Sequence, residues 1–191
     1  MKPKYLVVEG ISDCFYLAAI SLLVATGAEK RPLNDYVAWF PANSADNIKN
    51  CVLTLKSSGI EAAALFNSDP GGNKASEQKD VVMLLGAKKI LRTRDFYFGS
   101  VKHVEMEEFL RETLVAVAKD KLKLDVTVAA KVNKKMPIAQ IIMNKSKNQF
   151  KKQNIGDAFA RWAQTRKLSD LTDAEQKTCI SLMKAVKKAF Q

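Results

Sequence analysis

The chain has 191 residues, a net charge of +11 and a 47% hydrophobic content, which suits a folded domain with a sizeable core and excludes a disordered polyelectrolyte. Three scattered cysteines (Cys14, Cys51, Cys179) and one histidine (His103) exclude a disulfide framework and a zinc site, and point to a reducing cytoplasm. The longest apolar stretch, Phe15 to Ala25, is shorter than the roughly 20 residues that cross a bilayer, and the start lacks a signal-peptide layout, so no membrane partner is expected.

In chain order, Lys4 to Val8 reads as a buried strand handing over to Glu9-Gly10-Ile11-Ser12-Asp13, with Ser12 as N-cap of a helix to about Gly27. A second strand is expected at Tyr36 to Phe40, then a helix capped by Asn43 or Ser44 and carrying Ile48, Val52 and Leu55 inward. The apolar run Ala62 to Phe66 is the central strand. It ends in Asn67-Ser68-Asp69-Pro70-Gly71-Gly72, which delivers Asn67 and Asp69 to a loop. A helix over Ala75 to Leu85 and a short strand at Lys89 to Thr93 follow. Strand alternating with helix in this way specifies an α/β fold, a mainly parallel sheet sandwiched by helices.

Glu105 to Leu110 opens a further helix whose first-turn acids, including Glu107 and Glu108, also suit the helix macrodipole. Beyond residue 118 we expect a basic, mainly helical extension packed on the core. It includes a β-favouring run at Leu124 to Ala129, an exposed loop over Asn144 to Gln153, and helices at Ile155 to Thr165 and Thr172 to Phe190. Residues 1–100 carry 12 basic and 10 acidic side chains, and 101–191 carry 19 and 10, so the basic excess belongs to the second half. Such a face suits a polyanion, and a solvated lysine surface is the alternative. Trp39, Phe40, Phe159 and Trp162 read as core aromatics, and His103 as structural.

In an open α/β sheet, ligands bind outside the carboxyl ends of the strands. If the first and third strands are neighbours, Glu9 and Asp13 meet Asn67 and Asp69 in one crevice. Such a cluster repels itself unless a hard divalent cation, magnesium or manganese, neutralises it. Dinucleotide binding does not fit, because Glu9-Gly10-Ile11-Ser12 lacks the further glycines and places an acid where pyrophosphate would lie.

Leu6-Val7-Val8-Glu9-Gly10-Ile11-Ser12-Asp13 resembles the opening glutamate motif of Toprim domains. Ala64 to Gly72 resembles their strand followed by Asp-x-Asp. Within that superfamily the likeness is to the nuclease region of the overcoming-lysogenization-defect (OLD) family. Pro41 to Ile48, Met106 to Leu110 and Lys152 to Gly156 are similar to further segments of that branch. The resemblance implies a Toprim core over 1–118, an extension over 119–191, and magnesium- or manganese-dependent cleavage of DNA or, in a competing branch, RNA.

By that resemblance Glu9 is a metal ligand or general base, Asp13, Asn67 and Asp69 are metal ligands, and Glu107 and Glu108 hold a second cation. Lys152 stabilises charge on the scissile phosphate, and Lys145, Lys147, Lys151 and Lys152 grip the nucleic acid. Asn67 departs from the pattern, since the first aspartate of Asp-x-Asp is an amide here. The site is then either weakened or a catalytically inactive module that binds nucleic acid. The resemblance also implies an ABC-type ATPase domain or subunit as partner, because no P-loop motif occurs in these 191 residues. A homo-oligomer built through the C-terminal helices is a further expectation.

Overall fold

The computed structural model describes residues 3–28 and 31–191. Four parallel strands form the sheet in the order β2-β1-β3-β4: β1 is Lys4–Val8, β2 Ala38–Pro41, β3 Glu61–Phe66 and β4 Ile90–Arg92. Strands β1 and β3 are central neighbours, with Val8 opposite Leu65. Because side chains alternate along a strand, the two faces of the sheet sort cleanly. Leu6, Val8, Ala63 and Leu65 enter one core, while Val7, Ala62, Ala64 and Phe66 enter the other.

The second core is covered by three helices: α2 (Ile48–Ser57), α3 (Pro70–Ser76) and α4 (Lys79–Leu85). The first and larger core is built from α1 (Ile11–Ala28) together with α5 (Arg111–Lys121), α6 (Thr127–Val132), α7 (Ile138–Lys145), α8 (Lys152–Ala163) and α9 (Asp173–Ala189). Helix α1 is apolar nearly all round because it lies between the sheet and the C-terminal helices. Its Tyr16 meets Phe159, which in turn stacks on Trp162. The residues after 118 therefore share one hydrophobic core with the strands. Among the described residues no helix is long and apolar enough to cross a membrane.

Several local expectations are corrected. The helix expected over 75–85 is two helices, because Asp69 caps a new one and Pro70 takes its first position, where a missing N–H goes unnoticed. The β-favouring run 124–129 becomes the start of α6: the Asp125 side chain accepts the Thr127 N–H and turns the chain instead of extending it. Tyr36 lies outside β2, which starts at Ala38 and ends at Pro41, a residue tolerated on an edge strand. Helix α1 begins at Ile11, one residue before Ser12. Asp13 reaches back to accept the Gly10 N–H at 2.9 Å, half of a capping box. Lys152 and Gln153, expected in a loop, form the first turn of α8.

Candidate functional site

The two acid-bearing turns meet at the carboxyl ends of β1 and β3. Glu9 Oε1 accepts the Asn67 backbone N–H at 2.7 Å, locking the turn after β1 to the turn after β3. Asp69 caps α3 by accepting the Gly72 N–H at 2.7 Å, so it folds its own loop back under the crevice. Gly72 makes the approach possible. A Cβ there would lie 2.0 Å from the Asn67 carbonyl oxygen and 2.7 Å from Glu9 Oε1, distances no side chain can occupy.

A third turn joins them. The Ser68 N–H donates to the Val104 carbonyl at 2.8 Å and to Thr93 Oγ1 at 2.9 Å, while Ser68 Oγ accepts the Arg94 N–H at 2.9 Å. This buried knot ties the end of β3 to the end of β4 and to the segment leading into a 3-10 turn over Met106–Leu110. That turn carries Glu107, which is 2% exposed. Helix α8 packs against α1 at Gly156, where an added Cβ would lie 3.3 Å from the Ser12 carbonyl. The close crossing brings Lys152 to the crevice, where its Nζ pairs with Glu105 Oε1 at 2.5 Å.

The charges are not settled among themselves. Burial pushes the Glu9 carboxyl up to about 7, and nearby Asp13 and Asp69 add to this, against hydrogen bonds from Asn67 that pull it down. Burial likewise raises Asp13 to about 6, opposed by its bond from Gly10 and by the Lys152 ammonium. Glu107 is raised furthest of the three, to about 8, by burial with Glu105 and Asp13 adding, although Lys152 opposes the rise. Glu107 Oε1 and the Tyr16 hydroxyl are buried and have no hydrogen-bond partner among the described residues. The hydroxyl, too, is held well above its ordinary value by burial and by Glu107, Asp13 and Glu105. Two orphaned polar atoms at one acidic cluster are unusual in a folded interior, where nearly all such atoms are paired.

Glu9, Asp13, Asn67, Asp69, Glu107 and Lys152 are therefore drawn to one end of the sheet. Glu108 is turned to other work: Oε1 accepts the Ile138 N–H at the start of α7 at 2.5 Å, and Oε2 takes Arg111 at 3.0 Å. Replacing Glu108 by alanine strips partners from both, and urea unfolding is expected to show a loss of about 3 kcal/mol. Lys145, Lys147 and Lys151 are exposed on the end of α7 and the turn into α8. Glu105 and Tyr16 are site residues that the sequence reading passed over. Tyr16 lies three residues after Asp13, on the same face of α1, and Glu105 two before Glu107, spacings that are legible once both acids are known. Among the described residues no three His, Cys, Asp or Glu side chains converge closely enough to enclose an ion.

No family model matches the sequence, and no curated protein matches it. Solved structures do. The chain is similar to the C-terminal region of the Burkholderia pseudomallei OLD protein, with a TM-score of 0.61 and 11% identity, over 97% of this chain and 99% of that one. It is also similar to the C-terminal region of the Xanthomonas campestris pv. campestris OLD protein, with a TM-score of 0.58 and 11% identity, over 100% of this chain and 99% of that one. At that identity the likeness is one of fold: the chain has the α/β architecture of OLD C-terminal regions from end to end.

Proposed function

We propose that the crevice is a magnesium- or manganese-dependent phosphodiesterase site acting on DNA. The observation that carries this reading is Glu107 Oε1, a buried acceptor with no partner, set among carboxyls that burial and mutual repulsion hold above their ordinary range. A donor set made only of oxygens fits a hard cation. The lack of a closed three-residue cage fits magnesium, which binds through one or two carboxylates and completes its shell with water and substrate phosphate. One or two of Glu9, Asp13 and Glu107 would hold it, with Asp69 beside them and Asn67 offering a neutral amide oxygen.

The bound ion would supply positive charge to the phosphate and lower the pKa of the attacking water. Glu9, poised near neutrality by burial, takes up a proton at ordinary pH. Lys152, held by Glu105, presents an ammonium beside the acids, where charge on the departing phosphate oxygen develops. The exposed lysines on the approach to α8 add a sequence-blind grip on the phosphate backbone. The motif resemblance to the OLD family implies an ATPase domain or subunit as the working partner, with manganese an alternative ion and RNA an alternative strand.

The direct test is nicking of supercoiled plasmid with magnesium, manganese or chelator. Lys152→Met is expected to lower the nicking rate roughly 100-fold, in the range seen when one charge-stabilising donor is lost. Nicking that persists in chelator, or is unchanged in Glu9→Gln, sinks the reading. One observation favours a second reading, a nucleic-acid-binding module without chemistry: Asn67 donates its backbone N–H to Glu9 and brings a neutral amide to the cluster where an aspartate would add a charge. That reading predicts salt-sensitive DNA binding with no product, and gain of nicking in Asn67→Asp.

A further inference from the structure

Behind the Asn67-Ser68-Asp69 turn lies a small polar cavity of about 200 Å³, lined by Ser68, Asn73, Arg92, Arg94, Asp95 and Lys102. Three cations face one acid there. Arg92 makes only long contacts, 3.7 Å to Asp95 and 3.8 Å to Glu77, and among the described residues Arg94 and Lys102 have no carboxylate partner. Ser68 belongs to both the cavity and the knot that builds the acidic crevice, so the two sites share a wall.

The segment between Arg94 and Lys102 is held in a definite shape. The Arg94 guanidinium donates to the Val101 carbonyl and, at 2.6 Å, to the Lys102 carbonyl, and it lies over the Tyr97 ring at 5.7 Å. Tyr97 folds back over Gly99, where an added Cβ would lie 2.1 Å from its hydroxyl. What the fold-back leaves outside is Phe98, with 80% of its surface exposed. A large ring turned to water costs hydrophobic free energy, and here it is carried on a braced turn whose two ends are cavity residues.

We infer that this corner is a subsite for an unpaired DNA strand, in which Phe98 stacks a base and the Arg92–Lys102 cavity takes a neighbouring backbone phosphate. Anionic backbone next to an apolar base face is the ligand that a basic pocket beside an exposed aromatic matches. The inference rests on the proposed function only in naming DNA as the substrate, and binding can be read without the reaction.

The test is fluorescence anisotropy of a short fluorescein-labelled single strand in chelator, with a blunt duplex of the same sequence and inorganic phosphate as competitors. The expected result is roughly tenfold weaker single-strand binding in Phe98→Ala, with duplex binding unchanged and Phe98→Tyr restoring the parent affinity. Lys102→Ala should weaken both and lower the slope of log affinity against log salt by about 1. Because Phe98 is exposed, the melting temperature of each variant should match the parent.

Single-strand affinity equal to the parent in Phe98→Ala overturns the inference. So does equal loss on strand and duplex, or competition by inorganic phosphate as strong as by the strand. Failure of the nuclease reading appears separately, as plasmid left intact in magnesium by a protein whose single-strand binding still depends on Phe98.

Discussion

Gly72→Ala is expected to lower metal-dependent nicking roughly 100-fold while Gly71→Ala leaves it near the parent rate. The two glycines are adjacent, but their surroundings differ. A Cβ at Gly71 would meet only the Asp69 carboxylate, at an ordinary 3.4 Å, whereas at Gly72 it would sit 2.0 Å from the backbone oxygen of Asn67. Backbone cannot swing aside as a side-chain tip can, so the turn after β3 must move. That turn holds Asn67 against Glu9 and Asp69 against α3, and moving it opens the crevice. A displacement of about 1 Å is enough to lower a rate roughly 100-fold. Overpacking of this kind also destabilises by about 1–3 kcal/mol, so circular dichroism melts should show a folded but weaker protein. A Gly72→Ala variant that nicks like the parent would mean the Glu9–Asn67 contact has no part in the chemistry.

In chelator, the protein should lose stability as pH rises from 5 to 8.5, the reverse of the usual behaviour of a chain rich in paired carboxylates. The sign follows from direction. Glu9, Asp13 and Glu107 all bind protons more tightly folded than unfolded, so in this window the native state holds more protons and each rise in pH favours unfolding. Below about pH 3 these groups are neutral in both states and the penalty is absent. It is complete once pH passes the folded values near 6, 7 and 8. For Glu9 alone, the rise from 4.5 to about 7 corresponds to about 3 kcal/mol at 1.36 kcal/mol per pH unit. For a chain of this length that is a fall in melting temperature of about 10 °C. Glu9→Gln should flatten the profile. A melting temperature that is level or rises over this window, in chelator, contradicts the buried-charge account.

Much of the frame was legible from strand ends. Two short apolar runs closing in Glu9-Gly10 and Asn67-Ser68-Asp69 have no helical period and end in turn residues, so their place at the sheet's carboxyl edge follows from strand physics alone. Their adjacency, with β1 beside β3, puts Glu9 on Asn67. What escaped was set by tertiary contact. Nothing in Met106-Glu107-Glu108 distinguishes the two acids, yet one faces the crevice unpartnered among the described residues and the other is taken by Arg111, one turn on, and by Ile138, thirty residues further along the chain. Gly71-Gly72 reads as loop in any sequence. Only the approach of Asn67 and Glu9 reveals that the second glycine is a steric requirement. The turn into α6 was missed for a similar reason, because the Asp125 side chain overrides the β preference of Val126, Thr127 and Val128.

Asn67 separates the two proposed readings of the crevice. Its backbone N–H donates to Glu9, and its neutral side chain leaves the cluster one charge short of the aspartate pair of the resembled motif. Asn67→Asp adds a further carboxylate beside Glu9, so in chelator at pH 8 the variant should be less stable than the parent, and a divalent cation should more than restore it.

The central claim, that the three turns gather carboxylates for a hard cation, is most directly tested by melting temperature at pH 8 as magnesium or manganese is titrated in. The account predicts a saturable rise in the parent, following RT ln(1 + [L]/Kd), that is lost in Glu107→Gln although that variant starts out more stable in chelator. No rise in the parent, or the same rise in Glu107→Gln, would contradict it.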